Sequence, residues 1–122
     1  MKNSAEFGKH YLIDLHDCDP EVIKYVDLTR EIILHATKAC GATILDDYFH
    51  QFQPMGVSGV VLIAESHISI HTWPESGFAA ADIFTCGEMK PQVAIDIMRE
   101  GFRAKETSMS MKVVVGGHLD GK

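Results

Sequence analysis

Between Thr43 and Thr85 the chain divides into four short, apolar, β-prone stretches, at about residues 43–52, 57–64, 67–73 and 78–85. Each is too short and too rich in β-branched and aromatic residues to be a helix. The links Pro54-Met55-Gly56, Glu65-Ser66 and Pro74-Glu75-Ser76-Gly77 are short, which favours antiparallel neighbours over crossover connections. A further strand is predicted over 9–16 (KHYLIDLH) and another over 111–115. Asp19 is a good N-cap with Pro20 at the first helical position, and apolar residues recur through Val22, Val26, Ile33, Ala36 and Cys40 until Gly41. That pattern predicts one amphipathic helix. A second helix is predicted over 91–105, with Ala94, Ile97, Met98 and Phe102 on one face. The order β-α-β-β-β-β-α-β makes an α+β chain. It is expected to form a two-layer α/β sandwich, with a largely antiparallel sheet and two helices on one face.

A chain of 122 residues is expected to fold as a single domain spanning 1–122. No apolar run approaches the length that spans a bilayer, and the start MKNSAEFGKH lacks the apolar core of a signal peptide. No membrane association and a cytoplasmic location are expected. The net charge of -6 argues against a nucleic-acid partner, which needs a basic surface. Cys18, Cys40 and Cys86 form no CxxC pair, which argues against a disulfide scaffold or zinc knuckle and leaves room for a free, catalytic thiol. Cys18 and Cys40 read as small buried residues. His10, His16, His35, His50 and His118 have no ligand spacing that suggests a metal.

In HISIHTW, Ile68 and Ile70 point one way while His67, Ser69, His71 and Trp73 point the other. With helices covering the aliphatic side, an imidazole-bearing face is left open. Gly56-Val57-Ser58-Gly59, Glu65-Ser66-His67, His71-Thr72-Trp73-Pro74-Glu75 and Phe84-Thr85-Cys86-Gly87 follow in order. In these motifs the chain resembles the small prokaryotic S-adenosylmethionine decarboxylases, from the first strand to the second helix and most densely between Phe49 and Gly87.

The resemblance implies self-cleavage between Glu65 and Ser66 into a β chain, 1–65, and an α chain, 66–122. Ser66 would attack the Glu65 carbonyl and end as a covalent pyruvoyl group, with Ser58 supporting the intermediate and His71 acting as the processing base. The pyruvoyl ketone would form a Schiff base with the amine of S-adenosylmethionine and accept electrons as carbon dioxide leaves, with no pyridoxal phosphate and no metal. Cys86 would return the proton to the substrate carbon. Phe52 and Trp73 are the candidates to hold the sulfonium and the adenine, and Glu75 to bind the ribose hydroxyls. The product, decarboxylated S-adenosylmethionine (S-adenosylmethioninamine), would supply the aminopropyl group of spermidine in polyamine biosynthesis. The resemblance further implies a homodimer of two αβ units, the second protomer completing the site, and no diamine activator.

Two other readings share these residues. A pyruvoyl-dependent ornithine or arginine decarboxylase would keep Ser66, His71 and Cys86 but has no use for Phe52, Trp73 and Glu75 as adenosine contacts. A non-processing binding or regulatory homologue would keep the fold and leave the chain uncut. A serine hydrolase is disfavoured, because neither serine sits in a GxSxG elbow and no orienting acid is evident.

Overall fold

The computed structural model describes residues 5–116, so His118 lies outside the described residues. The expected order of elements holds, with strands β1 (Ala5–His16), β2 (Ile44–Gln51), β3 (Val57–Ile63), β4 (Ser66–Trp73), β5 (Phe78–Thr85) and β6 (Glu106–Gly116). They form one sheet in the order β2-β3-β4-β5-β1-β6, antiparallel at every pairing. β1 and β6 are longer than their apolar cores suggest, because Ala5 to His16 pairs with Glu106 to Gly116.

The first helix departs from expectation. Asp19 caps it as predicted, accepting from the Glu21 amide at 3.0 Å, but α1 (Pro20–Ile23) ends within a turn and α2 (Val26–Ala39) begins afresh. Tyr25 between them is extended, at φ -123° and ψ 155°. The break is held by Gln51, whose Oε1 accepts from the Val26 amide at 2.7 Å and whose Nε2 donates to the Lys24 carbonyl at 3.1 Å and the Gly56 carbonyl at 3.1 Å. Thr72 Oγ1 donates to the Ile23 carbonyl at 2.9 Å. Helical periodicity runs through the break, so the sequence pattern could not reveal it. Replacing Gln51 with Ala leaves these part-buried backbone groups without a partner and should destabilise the fold by about 1–3 kcal/mol, measurable as a lower midpoint in urea unfolding.

α3 (Pro91–Gly101) is shorter than predicted. Phe102 is fully buried at its C-cap, and Arg103 at φ 57° turns the chain back toward β6. All three helices lie on one side of the sheet. There Ile33 and Ala36 of α2 and Ala94, Ile95 and Met98 of α3 pack on Ile13, Leu15, Ile68, Ile70, Ala81 and Ile83. Ile97 is only half buried, and Ile95 takes the core position expected of it. Gly59 on this side lies beneath the Phe49 ring, so closely that a Cβ would overlap it.

Among the described residues, no element covers the opposite face of the sheet. Reading across β2-β3-β4-β5-β1-β6, the register gives rows His50–Ser58–His71–Ala80–Asp14–Ser108, then Tyr48–Val60–Ser69–Asp82–Leu12–Ser110, then Asp46–Leu62–His67–Phe84–His10–Lys112. Leu12, Tyr48, Val60, Leu62 and Trp73 are exposed on this face. No helix of the described chain is long and apolar enough to cross a membrane.

Candidate active site

Ser66 begins β4 at a two-residue turn, opposite Ile63 of β3. Glu65 before it has φ 67°, a left-handed conformation that costs a non-glycine residue about 1–2 kcal/mol. Ser66 Oγ lies against the Glu65 carbonyl and donates to it. Cys86, just past the end of β5, supplies two donors here. Its backbone N–H donates to Ser66 Oγ at 3.1 Å, and its Sγ donates to the Glu65 carbonyl oxygen at 3.0 Å. The nucleophilic oxygen, the carbonyl it would attack and two donors therefore share one corner. A thiol hydrogen-bonded to that carbonyl is placed to stabilise negative charge developing on its oxygen.

Cys86 is exposed, whereas Cys18 and Cys40 are buried, as the sequence suggested. Burial, helped by Asp17, pushes the Cys18 thiol up to about 11, and burial also raises Cys40. Only the thiolate reacts with alkylating reagents. Of the three thiols, one should therefore be alkylated quickly in the native protein at mild alkaline pH and the other two only after denaturation. A count by mass spectrometry checks this.

A second group assembles at the far end of the same strand. Ser58 and His71 are cross-strand partners, with Ser58 Oγ 2.8 Å from His71 Nδ1. They line a pocket of about 290 Å³ with Phe52, Met55, Trp73 and Glu75. Phe52 and Trp73 are nearly half exposed, so both offer ring surface to a ligand. Trp73 is braced by Phe78, at a ring separation of 5.6 Å. Glu75 stands in the 3-10 turn Pro74–Ser76, closed by Gly77 at φ 63°. A larger groove of about 590 Å³ between α2 and α3, lined by Glu31, Ile32, His35 and Ile97, lies on the helical side of the sheet and holds none of the candidate site residues.

All eight sequence-predicted residues thus fall into two groups, Glu65, Ser66 and Cys86 in one and Phe52, Ser58, His71, Trp73 and Glu75 in the other. Ser66 and His71 are five residues apart on one straight strand, about 16 Å at the rise of a β-strand. Within one chain the imidazole does not reach Ser66.

Sequence reasoning passed over a third cluster on the open face. Asp82 receives hydrogen bonds from Ser69 Oγ, His10 Nε2 at 2.6 Å and His67 Nε2 at 3.3 Å. Burial works to raise its pKa, but these hydrogen bonds together outweigh burial and hold the carboxyl below its ordinary value. The signal was weak, since a lone Asp in AAADIF is conspicuous only as a charge inside an apolar strand.

Residues 9–112 match the family model described as S-adenosylmethionine decarboxylase. The chain is 48% identical over 117 residues to an S-adenosylmethionine decarboxylase proenzyme of Thermodesulfovibrio yellowstonii, covering 94% of this chain and 87% of that one. It is 51% identical over 104 residues to the proenzyme of that name from Pyrococcus furiosus, covering 84% and 75%. The crystal structure of the adenosylmethionine decarboxylase from Aquifex aeolicus superposes with a TM-score of 0.83 at 36% identity, over 96% of each chain. A Trypanosoma brucei AdoMetDC monomer shares the fold at a TM-score of 0.64 and 16% identity, over 83% of this chain and 44% of that one. The match covers the corner of Ser66 and Cys86 together with the pocket of His71 and Trp73, and the chain belongs to the S-adenosylmethionine decarboxylase family.

Proposed function

We propose that this chain is a self-cleaving precursor whose mature form decarboxylates S-adenosylmethionine. The observation that carries the reading is the corner where Ser66 Oγ meets the Glu65 carbonyl and Cys86 contacts both. Attack of Oγ on that carbonyl turns the peptide bond into an ester and relieves the left-handed backbone at Glu65. The Cys86 thiol supports the oxyanion. Removal of the Ser66 Cα proton then expels the Glu65 carboxylate by β-elimination, and addition of one water with loss of one ammonia converts the resulting enamine into a pyruvoyl group. That group supplies an electrophilic ketone for the substrate amine and a sink for the electrons released with carbon dioxide. Cys86, which contacts Ser66, delivers the returning proton.

Cleavage leaves the sheet intact. β1, from the first piece, lies between β5 and β6 of the second, and β3 remains paired with β4 across the cut.

The base for the Cα proton is His71, and it must come from another copy of the chain. A twofold axis running above the open face, perpendicular to β4 and over its midpoint, would exchange the strand's ends, laying the Ser58–His71 pocket of one protomer over the Ser66–Cys86 corner of its partner. The open face suits such a partner, with the exposed apolar side chains of Leu12, Tyr48, Val60 and Leu62. The working unit is therefore a dimer of αβ units. A single pocket of about 290 Å³ is at the lower bound for a ligand of nucleoside size, which a second wall corrects. Trp73 and Phe52 offer aromatic faces to a sulfonium and an adenine, and the Glu75 carboxylate can accept from ribose hydroxyls. The product is an aminopropyl donor of the kind used to make spermidine.

The test is release of carbon dioxide from carboxyl-labelled S-adenosylmethionine, ornithine and arginine by the purified protein. Turnover of S-adenosylmethionine with the two amino acids at background supports the assignment, and the reverse preference would move it to an amino-acid decarboxylase.

A further inference from the structure

The cluster in the middle of the open face is not used by the chemistry above. His10 comes from β1, His67 from β4 and Asp82 from β5, and one ligand atom of each lies within 4.8 Å of the other two. The arrangement of the carboxylate is specific. Ser69 donates to Oδ1, while both imidazoles direct Nε2 at Oδ2. A carboxylate with one oxygen pinned by a neighbouring hydroxyl and the other offered alongside two imidazole nitrogens is the donor set of a three-ligand metal site with its outer support in place. The Phe84 ring stands beside both imidazoles, with centroid separations of 5.7 Å to His10 and 6.0 Å to His67, and limits their swing.

We propose that His10, His67 and Asp82 form a binding site for one borderline divalent transition-metal ion of the zinc type, with its remaining coordination positions directed away from the sheet, toward the partner protomer in the proposed dimer. Ligand atoms 2.0–2.1 Å from a tetrahedral ion stand about 3.3 Å from one another. His67 Nε2 is at 3.3 Å from Oδ2 already, and His10 at 2.6 Å needs to open slightly, which its part-exposed side chain permits. On binding, each neutral imidazole takes the tautomer with its proton on Nδ1, giving up the Nε2 hydrogen bond to Asp82 and turning the Nε2 lone pair to the ion. Two nitrogens and one carboxylate favour zinc, cobalt or nickel over the oxygen-seeking magnesium and calcium. The ligand set comes from a single chain and exists whether or not the chain is cut. If the cleavage reading holds, the ion also staples the pieces, since His10 belongs to residues 1–65 and His67 and Asp82 to residues 66–122.

Cobalt(II), titrated into metal-stripped protein and followed by its visible absorption, tests the site, with zinc displacement giving the affinity of the natural-sized ion. One ion per chain is expected. His67→Gln should abolish the cobalt spectrum, and Ser69→Ala, which removes only the outer support, should weaken zinc about 10-fold or more. His35→Gln, an exposed histidine on α2, should change nothing. Running the same titration on the uncut Ser66→Ala chain separates this proposal from the cleavage reading, because the site should bind there equally. Absence of stoichiometric binding, or binding that survives both His67→Gln and His10→Gln in proteins with unaltered circular dichroism, overturns it.

Discussion

Ser66→Ala should give a chain that never cuts and never turns over substrate, while folding as the parent does. The Ser66 hydroxyl lies against the Glu65 carbonyl, and alanine supplies neither that oxygen nor a group that could become a ketone. The side chain is small and sits at a strand end, so the core of Ile68, Ile70 and Ile83 is untouched. Intact mass spectrometry is expected to show the variant as one chain of 13.5 kDa. The parent should appear as two pieces cut between Glu65 and Ser66, the C-terminal one lighter than its encoded mass by one ammonia. Decarboxylation by the variant should fall to background. Cleavage of Ser66→Ala at the same bond, or an uncut parent that is fully active, would remove the autoprocessing reading.

The second large effect is a recovery. His71→Ala should block processing much as Ser66→Ala does, because the ester intermediate loses its base. If the two groups meet across a twofold interface, however, the two dead variants repair each other. In a mixed dimer one corner keeps both the Ser66 of the His71→Ala chain and the His71 of the Ser66→Ala chain, and the other corner has neither. Random pairing of co-expressed chains puts half of the molecules in mixed dimers, each with one sound site of two, so activity should return to about a quarter of the parent's. About half of the His71→Ala chains should be cut. No recovery, from variants shown to pair, would place the base within the same chain and contradict the distance of about 16 Å along β4.

The elements of this fold were legible in the sequence where the information is local. The four strands between Ile44 and Thr85 follow from short β-prone runs and short links that favour antiparallel neighbours, and the observed strands agree with that reading to within two residues at either end. The Asp19 cap and Pro20 start were readable because capping is a contact between neighbours along the chain. The open face of β4 followed from alternation alone. Where the reading failed, a distant residue intervened. The helix predicted to run unbroken to Cys40 breaks at Tyr25, because Gln51, on the other side of the α2–β2 turn, takes up the backbone groups freed there.

The candidate site divides in the same way. Its residue types and order, Ser58, Ser66, His71 and Cys86, could be recognised from the linear motifs. Cys86 beside Ser66 follows from β4 and β5 being neighbours. By itself, then, the sequence determined the strands, their antiparallel sense, the family resemblance and the residues able to do chemistry, since each depends on neighbours in the chain or on a pattern of identities. Only the tertiary structure decided that Ser66 and His71 occupy opposite ends of one strand, and that His10, His67 and Asp82, separated by as many as 72 positions, converge on one carboxylate oxygen. Those facts depend on strand order and register, which place β1 beside β5. Register is set by the burial of the whole apolar face against α2 and α3, a collective property that no local stretch of the sequence encodes.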